Sequence, residues 1–422
     1  MADGEGILDD LRSRELLQDH TDEADLRALL AAAPVTLYHG IDPSAASLHV
    51  GNLVGVLALR RFQDAGHRPI ALVGGATGMV GDPGGRSDER NLLDADTLAA
   101  NMAGISTQVE RLLDGAGDHR VEMVDNADWT REVRLLDFLR DVGKHVTVNQ
   151  MVAKDSIRSR MDGEHGISYT EFSYMLLQAF DFWWLSEHHG CRLQIGGSDQ
   201  WGNITAGVDL IRRRSQVSAH GLTWPLITKA DGTKFGKSAD GAVWLDPELT
   251  LPYEFHQYFL RADDRDVERF LLQLTLLPVA EIAAVVEQHR EAPQQRVAQQ
   301  SLADAVTTLV HGSEATEAAN LAASTLFGQV AVSPEGLEAI RGIVPETELD
   351  RERALGDLVD VLVRCGLASS NSDARRNLSD NAYRANGEPI GSRAALDAGD
   401  LVGDRFVLLQ RGKKNRHLLV VT

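Results

Sequence analysis

The chain has 422 residues, of which 43% are hydrophobic and 25% are charged, and its formal net charge is -20. We expect roughly two to four domains, because one hydrophobic core rarely serves so long a chain. No apolar run reaches the ~18 residues of a membrane-spanning helix, and the acidic first residues do not resemble a signal peptide. We therefore expect a cytoplasmic protein without a membrane partner. Cys191 and Cys365 lack the spacing of a zinc site or a disulfide framework.

The charge is unevenly distributed along the chain. Residues 355–422 contain ten lysines and arginines against eight acidic residues, whereas the preceding residues contain 32 against 54. The strongly acidic majority argues against broad contact with nucleic acid, since phosphate binding depends on lysine and arginine. The basic terminal segment indicates either a local nucleic-acid contact or a solvated charged face.

Hydrophobic patterning predicts alternating elements in the first half of the chain. An amphipathic stretch over residues 7–31 precedes a buried strand at 35–40. A helix over residues 49–63 and a strand over 68–75 then complete a βαβ unit. This order predicts an α/β fold with a doubly wound, mostly parallel sheet and a ligand crevice at the carboxyl ends of its strands.

The glycines that follow the second strand do not form a known dinucleotide or phosphate motif. Gly74, Gly75, Gly78 and Gly81 are not spaced as GxGxxG, and no GxxxxGK[ST] loop is present. A nicotinamide enzyme and a phosphate-loop ATPase are therefore disfavoured.

The second half repeats this organisation and then becomes helical. Residues 168–186 predict a helix, and residues 193–200 read as a strand, a glycine turn and the start of another helix. Further helices are predicted over 267–277, 279–289 and 296–309. Glycine, proline and glutamate interrupt the pattern between about 327 and 353, which indicates a linker.

Two separated motifs suggest chemistry on a nucleotide. Lys234-Phe235-Gly236-Lys237-Ser238 places two lysines on a glycine-containing loop, and His49-Val50-Gly51-Asn52 places a histidine at a predicted helix start. Cations and helix N-termini stabilise the charge that develops on phosphoryl oxygens. Taken alone, such lysines are more often surface residues.

With these motifs, the sequence resembles the bacterial tyrosyl-tRNA synthetases, of the class I aminoacyl-tRNA synthetase family, nearly from end to end. His49–Asn52 is similar to the family's HIGH motif and Lys234–Ser238 to its KMSKS motif. The other similar blocks, in the family's order, are Tyr38–Pro43, Gly74–Pro83, Glu171–Asp181, Gln194–Thr205 and the S4-like segment Leu355–Thr422.

The resemblance implies five regions. These are a Rossmann-like catalytic domain at 1–225 with a dimer-forming insertion at about 125–161, a KMSKS-type loop and connection at 226–250, an α-helical anticodon-side domain at 251–328, a linker at 329–354, and a small α+β S4-like RNA-binding domain at 355–422. The implied activity is tyrosine–tRNA ligation, in which ATP activates L-tyrosine to tyrosyl-adenylate and the tyrosyl group then passes to tRNA.

The resemblance also assigns residues to each substrate. The residues implied to bind tyrosine are Tyr38, Asp82, Tyr174, Gln178, Asp181 and Gln200. Those implied to bind ATP are Gly40, Asp42, Ser44, His49, Gly51, Asn52, Gly197, Asp199, Lys234 and Lys237. Catalysis is assigned to His49, Asn52, Lys234, Lys237 and Ser238. Residues 174, 178 and 181 are spaced to share one helical face, which supports their grouping.

Three positions depart from the family pattern. Asn52 replaces the second histidine of HIGH and retains a hydrogen-bond donor. His39 stands where a cysteine is common against the ATP ribose, which puts that contact in doubt. Ser44 replaces a common threonine and keeps the hydroxyl.

The remaining implications concern partners. The resemblance implies a homodimer, Mg²⁺ arriving with ATP, and no protein-bound structural metal. Candidate tRNA contacts are Arg86, Arg90, Arg375, Arg376, Arg411, Lys413 and Lys414. For the apolar run at 125–161, which includes Leu135, Leu136 and Val148, an intramolecular core is the alternative to a dimer interface.

Three other functions compete with this interpretation. A tryptophanyl enzyme is disfavoured because Asp181 and Tyr38 suit a phenol better than an indole. An RNA-binding paralogue without catalysis is disfavoured by His49, Lys234 and Lys237. A small adenylyltransferase with an HxGH motif would lack both the lysine loop and the basic tail.

Overall fold

In the computed structural model, the described residues are 6–82, 93–152, 157–158, 161, 166–233, 235–238, 241–391, 393–412 and 415–422. They form two compact units. The first comprises residues 1–250 and 258–310, and the second comprises residues 251–257 and 311–422.

The first unit is built on a five-stranded parallel sheet with the order β3-β2-β1-β4-β5. Its strands are β1 (Thr36–Ile41), β2 (Arg68–Val73), β3 (Glu122–Asp125), β4 (Cys191–Gly197) and β5 (His220–Trp224). The order runs outward in both directions from β1 and β4, as in a doubly wound fold. The predicted fold class is confirmed for this unit.

Helices connect and cover these strands. The α-helices whose bounds lie within the described residues up to 311 are Ile7–Ser13, Glu23–Ala32, Val50–Asp64, Ala95–Leu112, Ala127–Thr130, Leu135–Asp141, Val148–Val152, Tyr169–His189, Trp201–Ser215, Pro252–Leu260, Val267–Leu274, Val279–Glu291 and Val297–His311. Single 3₁₀ turns occur at Thr77–Met79, Gly143–His145, Ser198–Gln200 and Pro293–Gln295. The Val50–Asp64 helix buries Leu53, Val56, Leu57 and Phe62 completely. No helix among the described residues has the length and apolar character needed to cross a membrane.

A two-stranded ribbon follows the first sheet. It pairs β6 (Lys237–Ser238) with β7 (Gly241–Ala242) in antiparallel fashion.

The second unit contains a mixed sheet with the order β10-β9-β11-β12-β8. Its strands are β8 (Glu346–Leu349), β9 (Tyr383–Ala385), β10 (Glu388–Pro389), β11 (Phe406–Arg411) and β12 (Asn415–Val421). Its helices from residue 313 onward are Ser313–Phe327, Pro334–Ala339, Arg351–Ala354, Leu358–Arg364 and Asn371–Ser379. A 3₁₀ turn lies at Ala398–Asp400.

Both faces of the second sheet are buried. Val407 and Leu409 of β11 pack in one apolar cluster, while Phe406 and Leu408 pack in another. Successive side chains of a strand point to opposite faces, so the apolar run 406–409 requires a covering layer on each side. The second layer includes Leu337 and residues of the Ser313–Phe327 helix.

The segment expected as a linker, residues 329–354, is therefore largely structured. It supplies the Pro334–Ala339 helix and strand β8, which pairs in parallel with β12. A further helix, Asn371–Ser379, follows in this unit, and the Asp373 N–H near its start donates to the Ser370 hydroxyl. Composition indicated a linker because glycine, proline and glutamate interrupt the hydrophobic periodicity, and it did not reveal that β8 pairs with β12.

Candidate active site

A cleft opens where β1 and β4 lie side by side, at their carboxyl ends. All the predicted tyrosine-binding residues, and all the predicted ATP-binding residues before position 230, line this cleft: Tyr38, Gly40, Asp42, Ser44, His49, Gly51, Asn52, Asp82, Tyr174, Gln178, Asp181, Gly197, Asp199 and Gln200. Strand order explains the location, because the connections leave β1 and β4 in opposite directions and leave a gap between them.

Some of the predicted contacts are not among the fully described side chains. Lys234, Arg86, Arg90, Lys413 and Lys414 lie outside the described residues. For Lys237 and Ser238 only the backbone is described, as strand β6.

One end of the cleft holds a buried carboxylate beside a buried phenol. Asp181 is 2% exposed and Tyr38 is 1% exposed. The Asn126 amide donates to Asp181 Oδ2 at 2.9 Å, and the Trp129 indole N–H donates to Oδ1 at 2.8 Å. The Tyr38 hydroxyl has no hydrogen-bond partner among the described residues. A buried polar atom without a partner is costly, so this end of the cleft is suited to a ligand with a hydrogen-bonding group.

Burial also changes the protonation of this pair. Removal from water raises the pKa of Asp181 to about 7, although the bonds from Asn126 and Trp129 act in the opposite direction. Burial, followed by the neighbouring charge of Asp181, raises the pKa of Tyr38 well above its ordinary value. Tyr38 therefore remains a hydrogen-bond donor at neutral pH.

A polar network lines the middle of the cleft. Gln200 Nε2 donates to Asp82 Oδ2 at 2.7 Å and to Asp199 Oδ2 at 3.2 Å. Asn203 Nδ2 donates to the amide oxygens of Gln178 and Gln200, both at 2.9 Å. The neutral Gln200 amide thus orients the Asp82 and Asp199 carboxylates, whose oxygens are the acceptors that a cationic donor prefers.

Asp42 is held in the same way at the end of β1. Thr77 Oγ1 donates to Asp42 Oδ1 and the Tyr174 hydroxyl donates to Oδ2, both at 3.0 Å. The Tyr174 oxygen retains lone pairs that can accept a further bond. Two strand ends and one helix therefore meet at Asp42.

His49 caps the helix that begins at Val50. Its Nδ1 accepts from the Gly51 N–H at 3.0 Å, and Asn52 Oδ1 accepts from the His49 N–H at 3.1 Å. Acceptance at Nδ1 places the proton of the neutral ring on Nε2, so that this atom is a donor. The Asn52 oxygen is used by the cap, and its amide N–H groups remain suitable for donation. The site thus combines a helix N-terminus with side-chain donors, as anion binding requires.

His39 occupies the space between β1, β4 and the Val50–Asp64 helix. Its Nδ1 donates to the Ile195 carbonyl at 3.3 Å, and its ring lies edge-on to Trp224 with centroids 5.2 Å apart. A Cβ atom at Gly55 would lie 2.4 Å from His39 Nε2, so glycine at position 55 makes room for the ring. Burial lowers the pKa of His39 to about 4, which keeps the imidazole neutral with Nε2 as an acceptor.

The two nucleotide motifs are connected through the backbone. The Val50 N–H donates to the Val243 carbonyl at 2.9 Å, and the Leu245 N–H donates to the Leu48 carbonyl at 2.8 Å. This short antiparallel ladder fixes the start of the His49-capped helix against the segment that follows the lysine loop.

Sequence reasoning did not identify Thr77, Asn126, Trp129 or Gln194 as site residues. Gln194 pairs in register with Tyr38 across β1 and β4, and its Oε1 is buried with no partner among the described residues. The sequence feature that could have identified Gln194 is its polar side chain within the otherwise apolar strand at 193–195. The other three act through Asp42 and Asp181 from distant parts of the chain, so no local pattern marked them.

The candidate tRNA contacts in the second unit differ in their surroundings. Arg411 donates to the Leu367 carbonyl and forms an ion pair with Asp373 at 3.1 Å. Arg376 pairs with the same carboxylate at 3.0 Å. Arg375 is exposed and has no ion-pair partner among the described residues. Of these three arginines, Arg375 is the one without an ion-pair partner among the described residues.

Comparison with known proteins identifies the family. A family model described as "tRNA synthetases class I (W and Y)" matches residues 30–328, and one described as the tyrosine–tRNA ligase SYY-like C-terminal domain matches residues 337–419. The chain belongs to the class I aminoacyl-tRNA synthetases.

Its relatives are similar over nearly their whole length. The tyrosine–tRNA ligase of Roseiflexus castenholzii is 50% identical over 98% of this chain and 99% of its own, and that of Bacillus caldotenax is 49% identical over 98% and 99%. A C-terminally truncated mitochondrial tyrosyl-tRNA synthetase from Aspergillus nidulans has a TM-score of 0.69 at 31% identity, covering 77% of this chain and 95% of its own. This synthetase is therefore an enzyme of the tyrosine–tRNA ligase kind.

The raised pKa of Asp181 predicts a pH-dependent stability. The unfolded carboxyl ionises near its ordinary pKa of 3.8 and the folded one near about 7. Its contribution to the free energy of unfolding is therefore fully present below about pH 4 and is lost as pH rises through about 7. In urea denaturation without tyrosine, we expect the stability of the parent protein relative to Asp181→Asn to fall between pH 5 and pH 8.

Asp263→Asn is the matched control for this experiment. The pKa of Asp263 is lowered to about 2 by its hydrogen bonds from Arg265, so it does not titrate in this range. A difference between parent and Asp181→Asn that stays constant from pH 5 to pH 8 would contradict the assignment.

Proposed function

We propose that this one cleft carries out both steps of tyrosine–tRNA ligation. In the first step, a tyrosine carboxylate oxygen bonds to the α-phosphorus of ATP, and the bond to diphosphate breaks. In the second, the terminal ribose hydroxyl of tRNA attacks the adenylate carbonyl, and AMP leaves. The observation that carries this proposal is the unpaired, buried Tyr38 hydroxyl beside Asp181.

The phenol of the substrate is assigned to the Tyr38–Asp181 end. Asp181 accepts a hydrogen bond from the substrate hydroxyl and Tyr38 donates one to it. Phenylalanine would leave the Tyr38 hydroxyl buried without a partner and would donate no bond to Asp181. This gives selectivity by a known route for which tyrosyl-tRNA synthetases are themselves the standard example. The indole of tryptophan cannot accept a bond from Tyr38.

The ammonium group of tyrosine is assigned to the polar network in the middle of the cleft. Asp82, Gln178 and the Tyr174 oxygen offer acceptors, and Gln200 orients Asp82. The ammonium group of the ligand can donate hydrogen bonds to these acceptors.

ATP is assigned to the opposite side of the crevice. Gly40 and Gly197 allow close approach of the nucleotide, and Ser44 and Asp199 provide polar contacts to it. His49 Nε2, Asn52 and the N-terminus of their helix donate to the phosphates, where charge develops as diphosphate departs. Lys234, Lys237 and Ser238 are proposed to stabilise the leaving diphosphate from the loop.

We propose that Mg²⁺ enters with the triphosphate. The Asp42 oxygens already accept bonds from Thr77 and Tyr174, and the described residues include no group of three or more His, Cys, Asp or Glu side chains placed to hold a metal. The phosphates would supply most of the oxygen ligands, as is usual for Mg²⁺.

ATP–diphosphate exchange with each amino acid in turn tests the activity. We expect exchange with tyrosine and none above background with tryptophan. Tyr38→Phe removes one hydrogen bond to the substrate hydroxyl, so the preference for tyrosine over phenylalanine in kcat/KM should fall by about tenfold.

Tyr169→Phe is the control, because this hydroxyl belongs to a side chain that is 72% exposed outside the cleft. Exchange with tryptophan would favour the tryptophanyl alternative. Absence of exchange with every amino acid would leave only an RNA-binding role.

We propose that the second unit contacts tRNA phosphates, and that Arg375 contributes to this contact. Loss of one phosphate contact should weaken binding uniformly and reduce the slope of the salt dependence by about one. We expect Arg375→Ala to raise the KM for tRNA about fivefold to tenfold and to leave ATP–diphosphate exchange unchanged.

Arg364→Ala provides the comparison, since Arg364 is exposed in the same unit and already pairs with Asp360 at 2.6 Å. Equal effects of the two variants on charging would refute a specific role for Arg375.

A homodimer is proposed from apolar exposure in the segment 125–161. Leu135 is 71% exposed, Leu136 77% and Val148 62%. Contiguous exposed apolar side chains typically mark an interaction surface. The alternative of an intramolecular core does not account for these three residues.

Leu136→Asp should therefore dissociate the dimer, because a carboxylate buried at an interface without a partner is costly. Sedimentation equilibrium at micromolar concentration measures the change. Leu249→Asp is the control, since this leucine is 53% exposed outside the segment. A monomeric parent protein, or a dimer that survives Leu136→Asp, would count against this interface.

A further inference from the structure

Tyr258 lies outside both nucleotide motifs and holds the loop that contains Lys237. Its hydroxyl accepts from the Gly236 N–H at 3.0 Å, and its ring meets that of Phe235 with centroids 5.8 Å apart. Lys237 follows Gly236 directly, so the bond fixes the backbone from which the lysine side chain begins.

Gly236 is constrained on its other sides as well. Its carbonyl accepts from the Val243 N–H at 3.1 Å, and its φ of 91° is in the left-handed region that favours glycine. A Cβ atom at Gly236 would lie 3.3 Å from the Gly51 nitrogen. The loop backbone therefore lies against the start of the His49-capped helix, and Tyr258 bonds to it at the same residue.

Phe235 anchors the same loop in an aromatic pocket. It is 8% exposed and packs on Phe270, with centroids 4.8 Å apart, and on Phe259 at 6.4 Å. An aromatic ring buried among other rings favours one defined position of its backbone.

The start of the loop is attached to the same helical region. Asp266 Oδ2 accepts from the Ala230 N–H at 2.9 Å, and Asp266 Oδ1 pairs with Arg269 at 2.8 Å. Arg269 also donates to the Thr228 carbonyl. Both ends of the loop are therefore bound by side chains from residues 258–270.

We propose that Tyr258 is a positioning residue for adenylate formation, which sets the loop backbone so that Lys237 reaches the departing diphosphate. This inference rests on the proposed role of Lys237. Tyr258 itself does not touch substrate. A bond that holds the loop in its productive position lowers the barrier to the step in which the loop participates, and it contributes nothing to tyrosine binding.

Tyr258→Phe tests the proposal, since it keeps the ring against Phe235 and removes only the hydroxyl. Loss of one such hydrogen bond should slow single-turnover formation of tyrosyl-adenylate about fivefold to tenfold. The Kd for tyrosine, followed by intrinsic fluorescence, and the rate of transfer from preformed adenylate to tRNA should stay within twofold of the parent values.

Thr275→Val is the matched control for a purely structural effect. Thr275 is 1% exposed, and its hydroxyl donates to the Leu271 carbonyl at 2.7 Å in the same helical region, away from the loop. We expect this variant to lower the Tm without slowing adenylate formation selectively.

The outcomes separate this inference from the proposed function. A parent enzyme that forms no adenylate would overturn the function itself. If the parent is active and Tyr258→Phe forms adenylate at the parent rate, only the positioning role is overturned. The positioning role is also overturned if Tyr258→Phe slows adenylate formation and transfer to tRNA equally, or if Thr275→Val slows adenylate formation as much as Tyr258→Phe does.

Discussion

The order of strands in the first sheet is the constraint on which the site depends. β1 and β4 are neighbours although about 150 residues separate them in sequence, and the chain leaves them in opposite directions. The gap at their carboxyl ends is therefore not covered by a connection. Tyr38 and Gln194 face each other at the floor of this gap, and the loops that follow the two strands form its walls. The cleft therefore runs across this break in the winding.

Electrostatics within the cleft follows from how its carboxylates are held. Asp42, Asp82 and Asp181 accept hydrogen bonds from hydroxyl, amide and indole donors, and none of these donors carries a charge. These side chains are thus oriented before a substrate arrives, and burial raises the pKa of Asp181. A preorganised group of this kind needs little rearrangement when a complementary ligand binds.

Backbone hydrogen bonds join the segments that contain the two nucleotide motifs. The helix that begins after His49 is fixed by the ladder between Leu48–Val50 and Val243–Leu245, and the loop backbone at Gly236 joins the same ladder. Phe235, Tyr258 and Asp266 attach that loop to the helices that follow it. Motifs that are almost 200 residues apart thus hold a common geometry through backbone hydrogen bonds, which side-chain substitution does not remove.

Local pattern determined a large part of this molecule. The alternation of apolar strands and amphipathic helices specified a parallel α/β sheet, because periodicities of 2 and 3.6 residues record which face is buried. His49 and Gly51 marked a helix N-terminus, and the shared helical face of Tyr174, Gln178 and Asp181 follows from their spacing alone. These features are local, so residues close in sequence suffice to define them.

Tertiary structure alone decided the rest. The donors that hold Asp42 and Asp181 come from Thr77, Asn126 and Trp129, and the loop anchor comes from Tyr258, each far in sequence from the group it serves. Strand β8 lies in a segment whose composition suggests a linker, and its role depends on an apolar run in β12 that must be paired and covered. Contacts between distant residues leave no periodic signal, because they are fixed by how the packed elements meet rather than by the sequence of any one element.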